Sequence, residues 1–326
     1  MGRARAQAQH GGSVEAHPPR KPTRPMLGVL ACVMLALTGA ACASSAAAPK
    51  PGAIDAVGAE NEYANVLSQI GGRYVNVTAI MSNPNTDPHT FEASPQVAEE
   101  VSAAELVIQN GVGYDTFMNK IEAASPDSGR KVIDVQSLLG LPDSTANPHL
   151  WYNPVTMPAV AKAVATDLAE LQPAHAAYFH ANARSFLNSL AAWSRALATL
   201  KAEFPGAPVA VTEPVADYML QAAGMSIRTP WSLQADIMNG VDVSPQNVSF
   251  EENLFARHEV KAFLYNEQVT DSVTQTFLAL AKQAGIPVVA VYETMPTPGY
   301  DYQTWMVAEV TALQRALAAK VSTDRL

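Results

Sequence analysis

One long segment contains neither glycine nor an internal proline, and it divides the sequence in two. It covers residues 173–204, and apolar residues recur along it at the spacing of one helix face. As one helix it would be roughly 45 Å long, which is more than a small domain needs. We therefore predict a linking helix over residues 172–204, between an N-terminal lobe of residues 52–171 and a C-terminal lobe of residues 205–326.

Both halves alternate short runs of β-branched residues with alanine-rich amphipathic segments. This order is typical of parallel sheets covered by helices. The predicted fold class is α/β, with two lobes, each a mainly parallel sheet flanked by helices, joined by one long rigid helix. The predicted strands are 53–57, 74–80, 106–109, 131–135, 208–212, 225–228, 260–265 and 287–292. The other predicted helices are 60–70, 95–104, 114–124, 158–171, 216–223, 251–257, 270–285 and 302–320.

The N-terminus has the pattern of a secretory signal. Basic residues precede a short apolar run over 26–41, which ends at Cys42. That run is too short to predict a membrane span, which needs about 20 apolar residues. We expect a signal peptide over 1–41, a lipid on Cys42 and a small-residue tether over 42–51. Gly39 stands where lipoprotein signals usually have an aliphatic residue, so an ordinary cleaved signal is the alternative.

Composition limits the chemistry of the mature chain. The only two cysteines are Cys32 and Cys42, both in the leader region, so neither a disulfide nor a thiolate metal site is expected beyond it. The formal net charge is −9, although the first 41 residues are basic. An acidic body repels nucleic acid and suits a cationic ligand. Because no thiolate ligand is expected, any metal site must use nitrogen and oxygen ligands.

Four side chains of metal-binding type follow predicted strands or lie in loops: His89, His149, Glu213 and Glu293. Ligands of α/β proteins bind beyond the carboxyl ends of strands, which gives this placement a structural reason. Each residue also has an ordinary interpretation. A single loop histidine is usually a surface residue, and a glutamate after a strand often lies at a helix N-terminus.

The two histidines lie in distinctive motifs. The motif residues are Pro88, His89, Phe91 and Glu92 in the first, and Asn147, Pro148, His149 and Trp151 in the second. Together with the two glutamates, these motifs resemble those of the metal-binding lipoproteins that serve zinc and manganese ABC importers. The resemblance covers nearly the whole mature chain.

This resemblance implies a metal ion buried between the lobes, with His89 and His149 from one lobe and Glu213 and Glu293 from the other. The transported ligand would be one divalent ion, Mn²⁺ or Zn²⁺ with Fe²⁺ as a further candidate, and no organic cofactor is expected. The expected partners are an ABC permease and its ATPase, and the membrane through the lipid anchor. The protein would be a monomer at the outer face of the cell membrane or in the periplasm.

The chain departs from the family pattern in two places. Glu213 stands where zinc members usually have histidine and where manganese and iron members have glutamate. Glu293 replaces the usual aspartate, so its mode of ligation is open, and Glu267 is a candidate substitute. Glu92 and Asn147 are candidates for orienting the imidazole rings, or they are solvated loop residues.

Two other functions fit the residues less well. A secreted metallohydrolase would use two histidines and one carboxylate with an open coordination position to activate water. The sequence has no HExxH, GxSxG or Walker motif to support an enzyme. A metal-binding surface adhesin is the other alternative, and loss of metal uptake on deletion would distinguish an importer component from it.

Overall fold

The computed structural model describes residues 52–85, 87–296 and 298–326. The predicted signal peptide over 1–41, the tether over 42–51 and Cys42 lie outside the described residues, and these assignments stay predictions.

The first half of the described chain forms a parallel sheet with helices around it. Its strands are β1 (Ile54–Glu60), β2 (Val75–Met81), β3 (Leu106–Gln109) and β4 (Lys131–Asp134). Its helices are α1 (Asn61–Gly71), α2 (Pro95–Ala103), α3 (Thr116–Ala124), α4 (Val135–Leu138) and α5 (Thr156–Leu171). The strand order is β2-β1-β3-β4, and every neighbouring pair is parallel.

A long helical segment follows, as predicted, but with a local irregularity. A 3-10 turn at Pro173–His175 leads into α6 (Ala176–Ser189) and α7 (Ala191–Glu203), which meet at Leu190. Leu190 keeps right-handed helical angles, so the segment continues through this residue. The hydroxyl of Ser189 donates to the Phe186 carbonyl at 2.6 Å. A serine bonded to the preceding turn in this way perturbs the backbone ladder, which accounts for the break.

The second half repeats the parallel architecture. Its strands are β5 (Pro208–Val211), β6 (Ser226–Ile227), β7 (Ala262–Asn266) and β8 (Val288–Val291). Its helices are α8 (Asp217–Ala222), α9 (Trp231–Met238), α10 (Pro245–Ala256), α11 (Ser272–Gln283) and α12 (Tyr302–Ala319). The order is β6-β5-β7-β8, again parallel throughout. The predicted fold class is therefore confirmed.

Two elements of this half differ from the prediction. Helix α9 was not predicted, because Pro230 and Gly240 enclose a segment shorter than the window in which helical spacing is visible. Helix α10 begins six residues before its predicted start at 251. The side chain of Ser244 caps it by accepting a hydrogen bond from the Asn247 N–H at 3.3 Å, and Pro245 occupies its first position.

One apolar core extends through both halves by way of the long helices. It includes the buried aromatic side chains of Trp151, Trp193, Tyr302 and Trp305. Helix α12 packs on α7, and its Tyr302 hydroxyl donates to the Trp151 carbonyl at 2.6 Å. Because burial of large apolar side chains dominates folding energy, this shared core ties the two sheets together.

None of the helices in the described ranges is both long and apolar enough to cross a membrane.

Candidate metal centre

The two predicted histidines are placed by the same local device. In each motif an Asx residue is followed by proline and then by histidine. Asp87 Oδ1 accepts a hydrogen bond from the His89 N–H at 2.8 Å, and Asn147 Oδ1 accepts one from the His149 N–H at 3.0 Å. Such Asx turns fix a tight bend, and the intervening proline restricts it further. The motif therefore presents each imidazole from a rigid turn.

The two glutamates follow neighbouring strands of the second sheet. Glu213 lies two residues beyond β5, and Glu293 lies two residues beyond β8. Strand β7 lies between these strands and ends at Asn266. Because parallel strands end at the same edge of the sheet, all three side chains meet there.

Three of the four predicted ligands converge on one point. The Nε2 atom of His89 lies 3.0 Å from Glu293 Oε2, and the Nε2 atom of His149 lies 3.2 Å from the same oxygen. Candidate ligand atoms of these residues all lie within 4.8 Å of one another. His149 and Glu293 are fully buried, whereas the His89 side chain is 21% exposed. This spacing is suited to a single metal ion.

Glu213 lies beside this group and is joined to it through Asn266. The Asn266 amide donates to Glu213 Oε2 and to Glu293 Oε1. Glu213 is buried, and its Oε1 atom has no hydrogen-bond partner among the described residues. A buried carboxylate oxygen without a partner is costly, so this atom is a ready ligand.

The electrostatics pair His89 with Glu293. Burial of the His89 ring opposes its positive charge, but the Glu293 carboxylate outweighs burial and raises the pKa of His89 to about 9. Burial also opposes ionisation of Glu293, yet the charge of His89 and the close contacts of both imidazole rings hold the pKa of that carboxyl well below its usual range. His89 and Glu293 thus form an imidazolium–carboxylate pair.

The surroundings of His149 and Glu213 favour their neutral forms. Burial lowers the pKa of His149, although Glu293 partly offsets the effect. Burial, together with the nearby charge of Glu293, raises the pKa of Glu213 well above its usual value.

Hydrogen bonds between the lobes hold three of the four ligand segments. Asn147 Nδ2 donates to the Pro214 carbonyl at 2.8 Å, which joins the His149 and Glu213 segments. The Asn61 side chain makes two bonds to the backbone of Met295, at 2.8 and 2.9 Å. The Tyr152 hydroxyl lies 2.8 Å from the Tyr292 carbonyl, next to Glu293. These bonds fix the ligands relative to one another.

A cleft of about 1030 Å³ opens beside His89. Its walls include Tyr114, Met238, Gln268 and the predicted motif residue Glu92. Since His89 is the partly exposed member of the cluster, the cleft is the side from which solvent reaches the cluster.

Two polar residues of the site were missed by the sequence reasoning. The Tyr114 hydroxyl donates to Glu293 Oε2 at 2.9 Å, and Asn266 bridges the two glutamates. Tyr114 was predicted as the first residue of a helix but precedes α3. The one sequence signal for Asn266 is that it is the first polar residue after the apolar run of β7.

The geometry also bears on the alternatives left open by the sequence. Glu267 is half-buried and feels the charges of Arg325 and Lys282, and it does not belong to the group formed by the histidines and Glu293. Asn147 contacts the His149 ring nitrogen Nδ1 at 2.8 Å, which favours the orienting role. Glu92 is an exposed residue of the cleft wall.

Comparison with known proteins gives consistent matches. The model of the family described as zinc-uptake complex component A, periplasmic, matches residues 57–316. The metal ABC transporter substrate-binding lipoprotein ScbA of Streptococcus cristatus is 22% identical over 80% of this chain and 87% of its own length. The manganese-binding lipoprotein MntA of Bacillus subtilis is 26% identical over 52% of this chain and 58% of its own length.

Solved structures of similar proteins share the fold. The binding protein FpvC of Pseudomonas aeruginosa in complex with Mn²⁺ is 20% identical, with a TM-score of 0.68 over 82% of this chain and 99% of that one. TroA of Treponema pallidum, described as a periplasmic zinc-binding protein, has a TM-score of 0.69 at 17% identity over 83% of this chain and 100% of that one. At such identities the likeness is one of architecture.

Proposed function

Because the chain belongs to the family of periplasmic zinc-uptake complex components A, whose curated relatives are substrate-binding proteins of metal ABC importers, we propose that it captures one divalent transition-metal ion at His89, His149, Glu213 and Glu293. The ion would be Mn²⁺, Zn²⁺ or Fe²⁺. The observation that carries the proposal is the convergence of two imidazole Nε2 atoms on a single oxygen of the fully buried Glu293.

Charge balance supports the capture of a dication. No lysine or arginine is among the buried residues that the structure describes, so no protein cation accompanies the two glutamates. A bound dication would displace the protons that the cluster holds and would be neutralised by the two carboxylates, which keeps the buried site uncharged overall.

The ligand set favours binding over catalysis. Zinc in catalytic sites keeps one coordination position for water, whereas four protein ligands close a tetrahedral site. Four protein ligands therefore also argue against the alternative of a secreted metallohydrolase. We therefore assign the chain a transport role and not an enzymatic one.

The expected cycle follows from how the ligands are held. The ion would enter through the cleft beside His89, reach the ligands that the bonds between the lobes fix in place, and leave when the lobes tilt slightly at a membrane permease. The partners are that permease and its ATPase. The curated relatives are named lipoproteins, so the protein acts outside the cytoplasmic membrane, and acylation of Cys42 would keep it close to the permease as a monomer.

Metal binding by the mature protein tests the function directly. The protein is purified without chelator, its metal content is measured by mass spectrometry, and Mn²⁺ and Zn²⁺ are titrated into stripped protein. We expect one tightly bound ion per chain and its loss in Glu293→Ala. Glu267→Ala is the matched control, because that carboxylate lies outside the cluster and should leave binding unchanged. Binding of both ions only in the millimolar range by the unmodified protein would refute the proposal, whereas loss of cellular metal uptake on deletion would separate import from adhesion.

A further inference from the structure

The side-chain amide of Asn266 lies between the two glutamates of the proposed site. It is fully buried at the end of β7. Its Nδ2 atom donates to Glu293 Oε1 at 2.7 Å and to Glu213 Oε2. An amide nitrogen carries two hydrogens, so both bonds form at the same time. One asparagine therefore occupies one oxygen of each carboxylate.

The orientation of this amide is fixed by its own surroundings. Asn266 Oδ1 accepts a hydrogen bond from the Gln268 N–H at 3.0 Å, so the nitrogen must face the glutamates. The backbone N–H of Asn266 donates to Thr212 Oγ1 at 3.0 Å, which ties it to the residue before Glu213. Gln268 in turn accepts from the Glu293 N–H at 2.7 Å. Asn266 is thus a rigid hydrogen-bond donor, which is held by bonds to the residues that follow the neighbouring strands β5 and β8.

The remaining oxygens are the ones available to an ion. Glu293 Oε2 faces both imidazole Nε2 atoms, at 3.0 and 3.2 Å, and it also accepts from the Tyr114 hydroxyl at 2.9 Å on the side of the cleft. Glu213 Oε1 is buried and has no hydrogen-bond partner among the described residues. A carboxylate that ligated through both oxygens would have to share one of them between the ion and the Asn266 amide, which weakens a charge-assisted hydrogen bond in a buried site.

We propose that Asn266 is a specificity-determining residue, which keeps Glu213 and Glu293 monodentate and so limits the ion to two nitrogen and two oxygen ligands. This inference rests on the proposed function. Four ligands in a closed site suit Zn²⁺, which is almost always tetrahedral in such sites. Mn²⁺ gains more from additional oxygen ligands, since it favours octahedral oxygen coordination. Asn266 therefore biases the site towards the four-coordinate ion.

The coordination number is measured by visible absorption spectroscopy of the protein loaded with Co²⁺. The absorption of Co²⁺ is strong in tetrahedral sites and weak in sites of higher coordination. The variants are Asn266→Ala and Asn266→Leu, the second of which fills the space that the amide leaves. Gln234→Leu is the matched control, because its buried amide donates to the Thr229 carbonyl in the same lobe and does not contact the carboxylates. Zn²⁺ and Mn²⁺ are also titrated in competition into each protein.

We expect an intense Co²⁺ spectrum in the unmodified protein and in Gln234→Leu. In both Asn266 variants the absorption should weaken, and Zn²⁺ affinity should fall by roughly 10- to 100-fold, the range found when residues that orient metal ligands are removed. The affinity for Mn²⁺ should fall less, because Mn²⁺ can use the oxygens that the amide releases. A Co²⁺ spectrum and metal preference unchanged in folded Asn266→Leu would overturn the inference and leave the proposed function standing. A weak Co²⁺ spectrum in the unmodified protein, with one ion bound per chain, would also overturn the inference and leave the proposed function standing. Absence of any tight binding by the unmodified protein would instead refute the proposed function.

Discussion

The side-chain oxygen of Asn147 accepts two hydrogen bonds from His149, one from its backbone N–H at 3.0 Å and one from its ring nitrogen Nδ1 at 2.8 Å. The Asn147 nitrogen is already committed, because it donates to the Pro214 carbonyl. Nδ1 of His149 must therefore carry the hydrogen, and in the neutral ring Nε2 keeps its lone pair. The same asparagine thus selects the tautomer that directs a ligand nitrogen towards Glu293.

Asn147→Ala should weaken metal binding by about 10- to 100-fold, since the His149 ring loses the partner that fixes its tautomer and orientation. Nitrogen-15 NMR of the imidazole should show a mixture of the two neutral tautomers, in place of the single form in the unmodified protein. Asn153→Ala is the control, because its side chain accepts a hydrogen bond from the Val155 N–H in the same segment without reaching the ring. Equal effects of the two variants on affinity would contradict the assignment.

Metal binding should release protons at neutral pH, from His89 and from Glu213. The pKa of His89 is raised to about 9, and the pKa of Glu213 is raised well above its usual value, so both groups bind protons more tightly than ordinary imidazole and carboxyl groups do. The ion competes with these protons. Affinity should therefore fall as the pH is lowered, and it should stop rising only above about pH 9.

Calorimetric titration in buffers of different protonation enthalpy measures these protons. Glu213→Gln removes one titrating group and retains an oxygen at the same place, so it should release one proton fewer. Uptake of an ion without proton release at pH 7 would show that the site is already deprotonated.

The fold was predictable because its signals are local. Parallel strands buried between helices appear as short apolar runs, and this pattern located all eight strands. Helix α9 was missed since the eight residues of this helix, between Pro230 and Gly240, are too few to establish a period. The start of α10 was missed although Ser244-Pro245 repeats the Ser94-Pro95 start that located α2.

The site was predictable only in part. His89 and His149 lie in motifs, and Glu213 and Glu293 follow apolar strands, so their sequence context points to them. The role of Asn266 depends on the order β5-β7-β8, which places it between the glutamates. Strand order is a property of tertiary packing, and no local pattern encodes it. Tyr114 donates to Glu293 although the two residues are 179 positions apart in the sequence, so this contact also depends on tertiary packing.

Glu213→His should raise the preference for Zn²⁺ over Mn²⁺ by about tenfold or more, because a third imidazole is a softer ligand than a carboxylate and suits zinc better. Competition titration of both ions measures the ratio. Glu213→Gln is the control, because it keeps a weak oxygen ligand and should lose affinity for both ions alike. An unchanged Zn²⁺ to Mn²⁺ ratio in Glu213→His would mean that Glu213 does not ligate the ion.

Asn61→Ala should destabilise the protein by about 2 kcal/mol, since two buried hydrogen bonds of roughly 1 kcal/mol each are lost. These bonds join the start of α1 to the backbone of Met295, two residues beyond Glu293. Their loss should also free the Glu293 segment, so that metal binding must order it and becomes weaker.

Urea unfolding of the metal-free protein and Zn²⁺ titration measure the two effects of Asn61→Ala separately. Asn182→Ala serves as the control, because its side chain makes a single bond to the Ile70 carbonyl at 2.9 Å, away from the ligand segments. That variant should lose about 1 kcal/mol of stability and bind metal normally. If both variants bound Zn²⁺ equally well, the bonds between the lobes would contribute to stability alone, and the ligand segments would be held by their own turns.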